Sequence, residues 1–180
     1  MEWLLLAGAA LLIWGVVLYN RLVSDSHRVK QAWSDISVQL KLRHDLIPKL
    51  IAAVDAYASY ERTLLHEVTR QRAAAERAKD PAAAAHAEAL LGDGLRRMLA
   101  IAEAYPELKA DRQFLQLMGQ LSEVEDQIQY ARRFYNGAVR NLNVRIDSFP
   151  DLLIARSFSF RPAQFFELEA AVEETRGTRQ

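Results

Sequence analysis

Residues 111–148 read DRQFLQLMGQLSEVEDQIQYARRFYNGAVRNLNVRIDS. In and just beyond that stretch, Leu117, Leu121, Val124, Ile128, Ala131, Tyr135, Ala138, Leu142, Ile146 and Phe149 follow one another at intervals of three and four. A strand repeats every second residue, whereas these intervals keep a single face of an α-helix apolar. The stripe drifts slowly around the helix and matches the seam of a left-handed bundle. One long helix is predicted here, and its apolar face requires other helices to cover it.

The sequence on either side supplies them. Leu22, Ser26, Val29, Trp33, Ile36 and Leu40 repeat the same spacing. Ile47, Leu50, Val54, Tyr57, Leu64 and Val68 make a further apolar face, and Leu91, Leu95, Met98 and Ala102 another. Asp80-Pro81 is a strong boundary, since an acid can cap a helix and proline fits its first position. Tyr105-Pro106 closes that helix. At His44-Asp45-Leu46-Ile47-Pro48 two readings are open, a turn with Asp45 as the new cap or one kinked helix; the turn is adopted. Glu61 falls near the stripe between Tyr57 and Leu64, and surface exposure is the expectation there. Gly 7 and Pro 5 in 180 residues leave too few turn signals for a sheet. The fold expected is all-α, an up-down antiparallel four-helix bundle.

Composition narrows the function classes. Lys+Arg 23 balances Asp+Glu 23, so no basic excess exists to hold a phosphate backbone, and no nucleic-acid partner is expected. The absence of cysteine excludes disulfides, thiolate metal sites and cysteine nucleophiles.

The first residues place the protein. Trp3 to Asn20, WLLLAGAALLIWGVVLYN, carries no charge. Leu4, Leu5, Leu6, Leu11, Leu12, Ile13, Trp14, Val16, Val17 and Leu18 make it apolar, with Trp3 and Tyr19 at its ends where amphipathic rings favour headgroups. At about 1.5 Å per residue it spans most of a ~30 Å hydrocarbon core. A cleaved signal peptide is the rival reading, but no cationic region precedes the apolar run and no small-residue cleavage site follows it. An uncleaved single-pass transmembrane helix is therefore expected over 1–22. It should run without a break into the next helix. Arg21, Arg28 and Lys30 lie beyond it, which predicts the N-terminus outside and the body in the cytoplasm. Those cations can also rest against anionic headgroups.

Residues 23–166 are read as the bundle domain. Its end is irregular and aromatic: Phe149, Leu152, Leu153, Ile154, Phe158, Phe160, Phe165 and Phe166 crowd a stretch broken by Pro150 and Pro162. Either this segment covers the bundle or it docks elsewhere, and the cover is adopted. Residues 167–180 are polar and expected to fray.

These residues also carry a resemblance. Tyr19-Asn20-Arg21-Leu22-Val23, Val29-Lys30 with Ala32-Trp33-Ser34-Asp35-Ile36, Arg43 with Asp45-Leu46-Ile47-Pro48, Ala102-Glu103-Ala104-Tyr105-Pro106, Ala131-Arg132-Arg133-Phe134-Tyr135-Asn136 and Ser148-Phe149-Pro150 stand in this order. Together they resemble the LemA family from the apolar start to about Phe166. The resemblance implies a bacterial, membrane-anchored helical protein located in the cell (inner) membrane. It implies no reaction and no catalytic residues. Ser37, Leu42, Leu142 and Asp151 depart from the pattern at the surface and at one bend, which leaves the fold expectation intact and weakens any inference of shared partners.

No chemical motif competes. His27, His44, His66 and His86 lack the Glu-x-x-His spacing of a di-iron bundle, so no metal is expected. No phosphate loop, dinucleotide turn or Gly-x-Ser-x-Gly elbow is present, so no cofactor and no catalytic residue is assigned. Arg43, Asp45, Arg132, Arg133 and Asn136 are candidates for binding a protein partner. The other reading, and the one adopted, is that the arginines and the asparagine pair with Asp35, Asp45 or Glu125 and fix helix register. The function expected is a membrane-tethered scaffold or adaptor for an unidentified protein. A self-associating membrane-organising protein is the alternative, and an enzyme with an unrecognised site the remote one.

Overall fold

The computed structural model describes residues 1–167, and these contain helices and no strands. The order is α1 (Glu2–Asp55), a 3-10 turn (Ser59–Glu61), α2 (Arg62–Arg77), α3 (Pro81–Ala102), α4 (Pro106–Ala110), α5 (Arg112–Asp147) and α6 (Asp151–Ser157). Apart from Glu167, the tail expected to fray lies outside the described residues. Contacts divide the described residues into two units, one of residues 1–34 with 133–165 and one of residues 35–132 with 166–167. The two longest helices, α1 and α5, contribute to both.

In the first unit, α1 and α5 run antiparallel. Arg145 Nε donates to Asp25 Oδ2 at 2.6 Å, and about two turns further along α1 the Trp33 ring lies 5.5 Å from that of Tyr135. Leu22, Val29 and Ala32 are buried on α1, and Tyr135, Ala138, Val139, Leu142 and Ile146 on α5. The chain beyond α6 returns along α5 and is tied to it by side chains. Asn143 Nδ2 donates to the Ala163 carbonyl at 3.0 Å while its Oδ1 accepts from Ala163 N–H at 2.8 Å. Tyr135 Oη donates to the Gln164 carbonyl at 2.7 Å. Burial raises the Tyr135 pKa to about 12, which keeps the phenol a donor. Phe149 closes the sequence stripe but stands exposed, because α5 ends at Asp147 and the helical register ends with it.

In the second unit, one apolar core gathers Leu46, Ile47, Leu50 and Val54 of α1 with Leu65 and Val68 of α2, Leu91, Leu95, Met98 and Ala102 of α3, Leu108 of α4, and Phe114, Leu117 and Leu121 of α5. The helix starts are capped as their acids require. Asp80 accepts from Ala83 N–H at 2.8 Å, with Pro81 in the first turn, and Asp111 accepts from Phe114 N–H at 2.8 Å. Gly94 lets α2 and α3 close up: a Cβ there would collide with the Gln71 side chain and lie 3.2 Å from Val68 Cγ2. Glu61 is exposed at the end of the 3-10 turn.

The turn expected at His44–Pro48 does not form. Helix α1 runs through with Pro48 inside it, and Asp45 is an exposed mid-helix residue and no cap. Pro48 lacks the N–H that would bond the carbonyl four residues back, which is that of His44. Arg72 of α2 supplies the missing donor, its Nε meeting the His44 carbonyl at 2.7 Å. The reversal comes later, where Tyr57 and Ala58 N–H groups both close on the Val54 carbonyl.

Candidate functional site

The most unusual chemistry in the second unit is a charge cluster inside its helices. The apolar stripe of α3, followed backwards from Met98, Leu95 and Leu91, next reaches Glu88, which is 2 % exposed. On α1 the stripe from Leu40 to Ile47 passes through Arg43 and His44, each 5 % exposed. Glu88 is thus surrounded where an unpaired carboxylate would be costly.

Its two oxygens are divided between two donors. Arg43 Nη1 donates to Glu88 Oε2 at 2.9 Å, and His44 Nε2 donates to Glu88 Oε1 at 2.6 Å. Arg43 also reaches α5, with Nε 2.9 Å from Glu125 Oε1, although this N–H is not aimed for a hydrogen bond. A Cβ on Gly92 would lie 3.3 Å from Arg43 Nη2, so the glycine leaves room for the guanidinium. The cluster joins α1, α3 and α5, while Arg72 adds α2 through the His44 carbonyl.

Arg43 is buried and committed to Glu88 and Glu125, which is the pairing role and not that of a partner-contact residue. Of the other candidates, Asp45 and Arg133 are exposed, and Arg132 and Asn136 half-buried. Asp45 and Arg132 belong to the second unit, Arg133 and Asn136 to the first. Glu88 was missed by sequence reasoning. The signal was its place on the α3 stripe, seven residues before Leu95.

The cluster's donors and acceptors face one another, and among the described residues no three His, Asp or Glu side chains gather to hold a metal. A groove of about 490 Å³ lies elsewhere in the same unit, lined by Ile51, Asp55, Arg62, Leu65, His66 and Thr69. The Thr69 hydroxyl donates to the Leu65 carbonyl at 2.9 Å, which commits its proton to the helix backbone.

Glu125 gives a pH-dependent test of the cluster. Burial pushes its pKa up, and Glu88 and Asp126 act in the same direction, against the lowering effect of Arg43. The folded state therefore holds this proton more tightly than the unfolded chain, and ionisation of Glu125 costs stability as the pH rises through the glutamate range. Glu125→Gln should be more stable than the parent at neutral pH, with the difference closing in acid as the parent's carboxyl protonates. Urea unfolding of both proteins at pH 7 and pH 4 checks this.

Pro48 and Arg72 give a second. Arg72→Ala should cost about 1–3 kcal/mol by leaving the His44 carbonyl without a donor. In a Pro48→Ala background the restored N–H takes that carbonyl, so the same change should cost clearly less. A double-mutant cycle measured by denaturant unfolding reads the coupling directly.

Residues 32–177 match the LemA family. Magnetosome protein MamQ 2 of Paramagnetospirillum magneticum is 31 % identical over 80 residues, covering 44 % of this chain and 29 % of that protein. Protein LemA of Metamycoplasma hominis is 25 % identical over 150 residues, covering 82 % and 68 %. Magnetosome protein MamQ of Magnetospirillum gryphiswaldense is 23 % identical over 179 residues, covering 85 % and 66 %. The chain thus spans under a third of MamQ 2 and about two thirds of the other two.

Proposed function

The chain belongs to the LemA family, and from that premise we propose that it is a membrane-anchored scaffold or adaptor that acts by binding and not by catalysis. Residues 3–20 cross the membrane once with the N-terminus outside. The long helices α1, α2, α3 and α5 form a four-helix bundle in the cytoplasm and present it to a protein partner.

One observation carries this reading. Helix α1 is a single element of 54 residues whose beginning is apolar and bare and whose remainder is the core helix of the body. Among the described residues it is the one helix long and apolar enough to cross a membrane, and its most apolar window is only 6 % buried. An apolar face that size left in water would be an association hazard; in a bilayer it is at home. Arg21, Arg28 and Lys30 follow the apolar part and support the cytoplasmic assignment.

Asp45 and Arg133 are the exposed polar residues from which to look for the partner. A photo-cross-linking residue at either position in the full-length protein, in intact cells, followed by capture and mass spectrometry, tests the proposal. One recurrent protein whose link disappears on charge reversal of the neighbouring surface residues is the expected result. Links only to other copies of this chain would replace the adaptor with a self-associating membrane protein.

A further inference from the structure

We infer that the segment from Phe149 to Arg161 is a second lipid-contact element, lying on the surface of an anionic bilayer beside the point where α1 leaves it. The inference rests on the anchored reading and adds a surface to it.

The geometry starts at Tyr19. Going along α1, Leu18 is the first buried residue, 4 % exposed, and Leu22 is fully covered. The sixteen residues from Trp3 to Leu18 rise about 24 Å at ~1.5 Å each, so a bilayer that takes the bare part ends near Tyr19. At that level the ring of Tyr19 lies 4.8 Å from Phe158 and 5.9 Å from Phe160. Whatever depth Tyr19 takes, Phe158 shares to within a few ångströms.

Phe158 nonetheless keeps 59 % of its surface free, and Phe149 and Leu153 of the same segment are exposed as well. Exposed arginines, Arg156 and Arg161, alternate with them, and Arg21 stands on α1 two residues past Tyr19. Aromatic rings and arginines together on an exposed surface suit the headgroup layer, where the rings enter the acyl boundary and the guanidinium groups meet phosphates. The segment has a fixed place from which to do this. Asn143 and Tyr135 hold the chain just past its end, at Ala163 and Gln164, by three hydrogen bonds, and Phe160 N–H closes the turn after α6 on the Ala155 carbonyl at 2.9 Å.

The chain has no cysteine, so single probes can be placed cleanly. Full-length Ser157→Cys, Leu11→Cys and Ser122→Cys proteins, each carrying an environment-sensitive fluorophore, are reconstituted into phosphatidylcholine–phosphatidylglycerol vesicles containing lipids brominated at shallow or deep positions. Shallow bromines should quench the 157 probe severalfold more than the 122 probe, and deep bromines should quench the 11 probe. Adding Leu153→Asp and Phe158→Asp should abolish quenching at 157 and leave the probe at 11 unchanged, with helicity intact by circular dichroism. A quenched probe at 11 with no quenching at 157 above the level at 122 overturns the inference while the anchor stands. Loss at both positions overturns the anchor and the inference together. Disulfide-linked dimers through an unlabelled Ser157→Cys, in place of lipid quenching, would assign the surface to a second copy of the chain and overturn it as well.

Discussion

Replacing Glu88 by alanine should lower the stability of the body by about 3–5 kcal/mol, the range for removing one partner of a buried ion pair. Arg43 and His44 both point at that carboxylate from α1 and have no water to turn to. Arg43 keeps only its Nε contact with Glu125, and the His44 Nε2 proton is left unbonded. The loss therefore measures stranded polar groups and not the net worth of the pair. A second comparison separates the two. Replacing Arg43, His44 and Glu88 together by apolar residues of similar volume should recover most of the stability lost in Glu88→Ala, because nothing charged is then stranded on α1 or α3. Glu125 keeps partial access to solvent. Denaturant unfolding of the full chain in detergent micelles, followed by circular dichroism, gives both values. A Glu88→Ala protein as stable as the parent would show that the cluster is not a structural lock.

The second large effect is expected at Tyr135. Its ring is 1 % exposed and packs on Trp33, while its hydroxyl holds the returning segment at Gln164. Tyr135→Ala should cost about 3–5 kcal/mol through the cavity it leaves. It should also make the chain between Phe158 and Phe165 a preferred site of limited proteolysis. Tyr135→Phe keeps the ring and loses the hydrogen bond, for a cost of about 1 kcal/mol. Equal costs for the two changes would mean that the ring packing contributes nothing of its own.

Which features were legible in the sequence follows from how local their causes are. The stripe from Leu117 to Ile146 announced α5 almost to the residue, because helix periodicity is carried by the segment itself. Asp80 before Pro81 announced the start of α3 for the same reason: cap and capped amide are three residues apart. The unbroken α1 was legible up to Lys41 and then misread. Within six residues Pro48 looks like a helix start; what cancels that signal is Arg72, which becomes its neighbour only after α2 has folded back.

The site was less legible still. Arg43 was noticed as a polar residue of interest, but a sequence does not say whether an arginine faces a partner or a buried glutamate. Glu88 carried no local mark except its position on the α3 stripe. A charged residue on an apolar stripe is more often at the edge of the face than inside it, so only the meeting of α1 with α3 made its role plain. The aromatic C-terminal segment divided along similar lines. Phe166 is buried, as a cover requires, whereas Phe149 and Phe158 remain exposed, and nothing in the spacing of these phenylalanines separates the two groups.

The proposed function requires one span through the membrane with the helical body on the cytoplasmic side. Single-cysteine accessibility in intact cells tests that most directly, with full-length Glu2→Cys and Ser122→Cys proteins and a membrane-impermeant maleimide. Labelling of the residue 2 position in intact cells, with the residue 122 position reached only after permeabilisation, is the predicted result. Labelling at residue 122 in intact cells would contradict it.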